Sequence, residues 1–415
     1  MATVVVEPRI RGFICTTAHP AGCASNVNDQ IQVARSARSV QAGQADQAVQ
    51  AGQADQKNGA GPLRVLVIGA STGYGLAARI AAGAMYDAGT VGVFFERESS
   101  GTRCGTPGFY NTAAYHRYAT ESGLVSANVN GDAYSHEIKR KTVELVASRL
   151  GQVDLVVYSL ASPKRTDPDT GETYQSVLSP IGETYVGKTV DLNREVINEV
   201  TVDPASDEGI RGTVGVMGGD DLGRWSEALL DAGLLADGAR IVTFSYIGPA
   251  LTWPIYRSGT IGRAKEHLEQ ITKAIDGQLQ SAVGGRAMVS VNKAVITQAS
   301  AAIPVVPLYI SLLYRIMRER SLHEDPIHQM VRLFNDHIGP GRTPALDGED
   351  RIRLDDLELG GPVQGEIDSV WPTITTDNFR ALTDYDAYKR GFRQLFGFEV
   401  DGVAYDEPVE LEAEI

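Results

Sequence analysis

Residues 64–85, RVLVIGASTGYGLAARIAAGAM, read as a short apolar strand, a glycine loop and the opening of a helix. That order is the context a dinucleotide site requires. Gly69, Gly73 and Gly75 allow a tight turn and a close backbone approach to a pyrophosphate, whose charge the N–H groups of a helix start stabilise. Glycines alone decide little, because many strand-to-helix turns use them. The next apolar run, 91–95, ends at Glu96, about twenty residues beyond the loop, where a carboxylate accepts from the adenosine ribose hydroxyls. Glu96 also reads as a cap on the following loop, and the adjacent Arg97 leaves room for a 2′-phosphate.

Working outward, the alternation continues with a strand near 124–130, a helix from about 135 to 150 and a strand at 153–159. Strands separated by helices imply a parallel sheet with crossover helices. Ligands of such sheets lie beyond the carboxyl ends of the strands, where Asp132, Ala133, Leu160 and Ala161 fall. Asp132 reads equally as an acceptor for an adenine amino group and as a helix N-cap. The stretch 164–210 is polar and without period, an elaborated loop or small subdomain. A helix over 222–236 and strands at 239–246 and 287–291 follow, with Thr297 beyond the last as a partner for a nicotinamide carboxamide. The fold expected is α/β, a Rossmann-type doubly wound parallel sheet with substrate-binding insertions and a small C-terminal extension. Its divisions fall at 1–63, 64–337 with an insertion at 164–215, and 338–415.

The second chemically rich stretch is 246–265, YIGPALTWPIYRSGTIGRAK. On one continuous helix Tyr256 and Lys265, nine positions apart, point to nearly opposite sides. With Tyr256 in the loop and Gly259 and Thr260 opening the helix, a lysine in its second turn returns to the same cavity. A packed tyrosine and a solvated lysine are the plainer alternative.

Net charge is −14 and the isoelectric point near 5.0, which argues against a nucleic-acid partner. Cys15, Cys23 and Cys104 form neither a disulfide framework nor a metal-ligand pair, which fits a reducing cytoplasm. Glu7, Arg9 and Arg11 interrupt any signal-peptide core. The uncharged run 294–314 carries two prolines and reads as a buried strand, a loop and a helix rather than a membrane span. Its segment 301–317 is a candidate wall for an apolar chain. VQAGQADQ occurs at 40–47 and again at 49–56, a tandem duplication that reads as a solvated helix extension or a loop. His323 and His328 are spaced unsuitably for one metal on a helix, and no metal is expected.

The glycine spacing GxxxGxG is the short-chain reductase form, but longer stretches are more specific. PRIRGFICTTAHPAGC at 8–23, GQVDLVVYSLASP at 151–163, GKTVDLN at 187–193, WPIYRSGTIGRAK at 253–265, the run 296–317 and LFGFEVDGVAYDEPVE at 395–410 are the main ones. With these the chain resembles the family of NADH-dependent trans-2-enoyl thioester reductases, which includes bacterial enoyl-acyl-carrier-protein reductases. The Tyr-x8-Lys spacing distinguishes that family from other short-chain enoyl reductases. The resemblance implies a cytoplasmic monomer acting on enoyl thioesters of acyl-carrier protein or coenzyme A. It implies that Gly69, Ala70, Ser71, Thr72, Gly73, Tyr74, Phe95, Glu96, Asp132, Ala133, Leu160, Ala161, Lys265, Val295, Ile296 and Thr297 line NADH. Tyr256 is then the proton donor and Tyr246 a substrate contact. The duplication at 40–56 and the stretch 96–111 depart from the family pattern. A short-chain carbonyl reductase uses the same tyrosine and lysine, and a cofactor-sensing protein needs neither.

Overall fold

The computed structural model describes residues 3–12, 14–50 and 61–415, with the backbone alone for 40–50. Seven parallel strands form one sheet in the order Arg351–Arg353, Arg286–Val291, Leu235–Ser245, Val153–Tyr158, Arg64–Ile68, Gly89–Phe94, Ser126–Asn130. The order reverses between Arg64–Ile68 and Val153–Tyr158, which makes their carboxyl ends the topological switch point.

Apolar alternation explains the layers. Val65 and Val67 face a cluster with Ile80, Tyr115 and Met330, while Leu66 and Ile68 face one with Val146, Trp225 and Leu268. Both faces are covered, so the strand reads as one apolar run with no polar side. Helices Pro20–Gln50, Gly73–Tyr86, Pro107–Glu121 and Pro326–Leu333 contribute to the first layer, and His136–Arg149, Asp220–Asp231 and Thr260–Val283 to the second. A third cluster joins the helices Val306–Glu319 and Tyr385–Gln394 to Ala294 and Ile296, just past the carboxyl end of Arg286–Val291.

Several sequence expectations shift. The polar stretch 164–210 contains two antiparallel hairpins, Lys164–Thr166 with Thr173–Gln175 and Tyr185–Asp191 with Val196–Val202. The helix expected over 222–236 lies at Asp220–Asp231, a further helix, Asp207–Met217, precedes it, and the next strand already begins at Leu235. Gly218 and Gly219 make the break where the chain closes on His267 and Ile271, with no room for a Cβ at either. No strand forms in 294–314. That segment gives the helices Gln298–Ala301 and Val306–Glu319, and Arg351–Arg353 takes the sheet edge beside Arg286–Val291. The first copy of the duplication continues the helix Pro20–Gln50, and the second runs beyond the described residues.

Candidate active site

The glycine loop and the loop after Val153–Tyr158 meet at the switch point. Gly69 has φ +91°, and a Cβ there would lie 2.2 Å from the Ser159 carbonyl oxygen. A Cβ on Gly75 would lie 1.9 Å from the Gly69 oxygen, so only glycine lets the helix start close on the loop. Thr72 is the extended N-cap residue, yet its side chain makes no cap bond. The first N–H groups of Gly73–Tyr86 therefore lack an intrahelical or side-chain partner and suit a phosphate. Ala70 is buried beneath them. Tyr74 turns away from the loop: its hydroxyl lies 2.6 Å from the Lys293 carbonyl oxygen and 3.0 Å from Gln329 Oε1.

Glu96 is held from three sides. Ser71 Oγ donates to its Oε1 at 2.6 Å, Asn130 exchanges two 2.9 Å hydrogen bonds with its backbone, and Gly108 leaves space that a Cβ would take. Phe95 beside it is 76% exposed, an apolar ring standing open to solvent. Asp132 accepts from the Tyr134 N–H at 3.0 Å, and the helix N-cap is Ser135, which accepts from Ile138, so the N-cap alternative for Asp132 fails. Ala133 is buried, Leu160 half-buried and Ala161 exposed. Val295 and Ile296 are buried, and Thr297 caps the helix Gln298–Ala301 by a reciprocal pair with Ser300. A Cβ on Gly73 would reach the Thr297 methyl at 4.0 Å, so this segment faces the glycine loop.

Tyr256 lies in the turn before Thr260–Val283, as its spacing predicts. Its carbonyl oxygen accepts from the N–H groups of Gly259 and Gly262 at 3.1 and 2.9 Å, and a Cβ on Gly262 would collide with the Arg257 oxygen. Tyr246 meets Tyr256 edge-on, with ring centroids 4.8 Å apart. Among the described residues no group hydrogen-bonds the Tyr256 hydroxyl, while that of Tyr246 donates to Glu358 Oε1 at 2.9 Å. Burial raises the ionisation of Tyr256 well above the ordinary phenol range, so it stays a neutral donor. Lys265 donates to the Phe244 carbonyl oxygen at 2.9 Å. Burial lowers its ammonium to about 8 against the pull of Glu269.

Sequence reading missed Asn130, Lys293, Tyr309 and Glu358. Asn130 carries a signal, a polar residue closing a strand beside the acidic one; the others carry none. A cavity of about 610 Å³ is lined by Arg11, Asn193 and the segment 301–304 with Pro307. Of the expected apolar wall only its start therefore lines this cavity, because the residues from Leu308 to Met317 other than Arg315 are buried.

Three family models match: the NAD(P)H binding domain of trans-2-enoyl-CoA reductase at residues 5–101, the trans-2-enoyl-CoA reductase catalytic region at 103–338, and an enoyl reductase FAD binding domain at 346–409. The enoyl-acyl-carrier-protein reductase (NADH) of Coxiella burnetii is 49% identical over 99% of this chain and 97% of its own length. The chain belongs to the trans-2-enoyl thioester reductase family. The like-named protein of Opitutus terrae is 48% identical over 98% of each chain. The crystal structure of Treponema denticola trans-2-enoyl-CoA reductase with NAD superposes with a TM-score of 0.89, at 44% identity, covering 99% of this chain and 100% of that one.

The glycine cradle and Glu96 fit the reductase family's nicotinamide cofactor. A flavin fits poorly in 346–409. The loop that there joins a strand to a helix carries Asp355, Asp356 and Glu358, carboxylates where a diphosphate needs positive charge. Gly361, opening that helix, has no close neighbour to cradle. Phe379, Tyr385, Phe392 and Phe396 fill the remaining interior with their own rings.

Proposed function

We propose that this chain reduces the C2=C3 double bond of trans-2-enoyl thioesters, carried on acyl-carrier protein or coenzyme A, to the saturated acyl thioester. Bound NADH supplies the hydride for the substrate β-carbon. The glycine loop from Gly69 to Gly73, with the Tyr74 backbone N–H and not its side chain, holds the pyrophosphate at the helix start, and Glu96 accepts from the adenosine ribose hydroxyls. Phe95, Asp132 and Ala133 border the adenine half, Leu160 and Ala161 line the cofactor beyond Val153–Tyr158, and Val295, Ile296 and Thr297 border the nicotinamide half. Lys265 fixes the nicotinamide ribose and adds positive charge to the cavity.

Negative charge collects on the thioester oxygen as the β-carbon is reduced. A neutral phenol aimed at that oxygen stabilises charge present mainly in the transition state. Tyr256 supplies that donor, and protonation at the α-carbon completes the reduction. Tyr246 walls the substrate with its ring. The observation that carries this reading is the Tyr256 hydroxyl, a donor on a half-buried side chain with no hydrogen-bond partner among the described residues. The same proposal takes the protein to be a cytoplasmic monomer, consistent with its three free cysteines and open to sedimentation analysis.

The test is loss of NADH absorbance at equal enzyme concentration with crotonyl-CoA and with a simple ketone. Turnover of crotonyl-CoA alone is expected. Turnover of the ketone alone replaces the reading with a carbonyl reductase, and turnover of neither replaces it with a cofactor sensor. Matched CoA and carrier-protein substrates, compared by kcat/KM, identify the carrier.

A further inference from the structure

Glu358 lies in the loop between Arg351–Arg353 and the helix Gly361–Val370, and its side chain is completely buried. Its Oε1 accepts from the hydroxyls of Tyr246 at 2.9 Å and Tyr309 at 2.6 Å, and its Oε2 from the Ala294 N–H at 2.7 Å. The loop is itself anchored by Gln364, which donates to the Glu358 carbonyl oxygen at 2.7 Å. Lys293, also buried, donates to the Ala294 oxygen at 2.8 Å and lies 4.6 Å from the centroid of the Tyr314 ring. Burial raises the Glu358 carboxyl, while Lys293 and the three hydrogen bonds oppose that rise. A carboxylate this deep persists only where partners replace its water. These partners come from three places in the fold: the chain just past Leu235–Ser245, the chain just past Arg286–Val291, and the helix Val306–Glu319.

The consequence for Tyr246 is directional. Its only hydroxyl proton faces Glu358, so it has none to give a substrate, and its ring stands at 88° to that of Tyr256. We propose that Glu358 is a positioning residue for enoyl reduction, fixing the Tyr246 hydroxyl so that the Tyr246 ring holds Tyr256 toward the thioester oxygen. Through the Ala294 N–H it also steadies the backbone leading to Val295–Thr297. This inference rests on the function proposed above. It gives the C-terminal segment a part in the reaction that no nucleotide-binding role requires.

Glu358→Gln separates this role from simple packing. The amide oxygen can still accept from Ala294, but its N–H groups then face the two hydroxyls, so Tyr246 becomes an acceptor and its proton is released into the cavity. Expected are a kcat lowered by roughly tenfold or more and an NADH Kd, read by fluorescence, within about twofold of wild type. In a Tyr246→Phe background the same change should add less than about twofold, because both act through one hydrogen bond. Glu358→Asp, which keeps the charge but retracts it, should recover part of the loss. Wild-type kcat in folded Glu358→Gln overturns the proposal, as do losses that multiply in the double variant. If Glu358→Gln does not fold, Glu358→Asp is read alone: lowered kcat with unchanged NADH affinity supports the proposal, and wild-type kcat overturns it. Failure of both to fold assigns Glu358 to the fold and also overturns it. A wild-type protein inactive on crotonyl-CoA is a separate outcome, which overturns the function itself.

Discussion

Ser71 donates its hydroxyl to Glu96 Oε1 at 2.6 Å, tying the glycine loop to the end of the neighbouring strand. The bond holds the carboxylate at the mouth of the cradle rather than letting it turn into solvent. A 2′-phosphate placed about 4 Å away meets repulsion of up to roughly 4 kcal/mol at an effective dielectric of 20, lessened by water and salt. NADH is therefore expected to exceed NADPH in kcat/KM by at least about a hundredfold. Ser71→Ala, which releases the carboxylate, should reduce that ratio by up to about tenfold. Equal kcat/KM for the two cofactors in the intact protein would refute the assignment of Glu96.

Lys265 links affinity to pH. Its ammonium is lowered to about 8 in the folded protein, below the ordinary lysine value near 10.5. The unfolded chain thus binds more protons between those values, and this group makes stability rise with pH across that window. Cofactor binding runs the opposite way. In the role proposed for Lys265 the charged form serves the ribose, so above about pH 8 binding must recover a proton and affinity is expected to fall. The NADH Kd should weaken by about an order of magnitude between roughly pH 7 and 9.5. Lys265→Met should flatten that dependence, which distinguishes it from Lys293, lowered to a similar value. A pH effect that survives Lys265→Met would exclude this lysine.

Local signals made half of this site legible. The glycine loop, Glu96 and the Tyr256-to-Lys265 turn each lie within a short window where spacing alone constrains geometry. Arg351–Arg353 was invisible as a strand because its two arginines break any apolar run. In the fold they are paired with Asp347, Glu349 and Asp355. Glu358 was invisible for another reason. Its partners Tyr246, Tyr309 and Ala294 are 112, 49 and 64 residues away, and an acidic stretch in sequence looks like a solvated surface. Charge buried by long-range contacts leaves no periodic trace.

The duplicated tract is expected to be dispensable. Its composition offers little apolar surface to bury, and its repetition indicates that length is weakly constrained. Removing residues 48–56 should leave kcat unchanged and shift Tm by less than about three degrees. A fall of about ten degrees or more, followed by circular dichroism, would mean that the tract docks on the body of the protein.

Tyr256 and Tyr246 differ in what their hydroxyls already do. Tyr246 has committed its proton to Glu358, whereas the Tyr256 hydroxyl has no hydrogen-bond partner among the described residues and desolvation raises its ionisation further. Tyr256→Phe keeps the edge-on ring packing and removes one donor to the developing enolate, so kcat should fall by roughly 10²- to 10³-fold with little change in NADH Kd. Tyr246→Phe leaves that donor present but unfastens its neighbour, so kcat should fall to a value between wild type and Tyr256→Phe. Lys265→Met differs from both in weakening NADH binding as well as turnover. Because burial lifts the Tyr256 phenol far above neutrality, its donor role should impose no loss of kcat between about pH 6 and 8. Wild-type turnover by folded Tyr256→Phe would remove it from the mechanism. The proton would then have to come from Tyr246, which would first have to release Glu358.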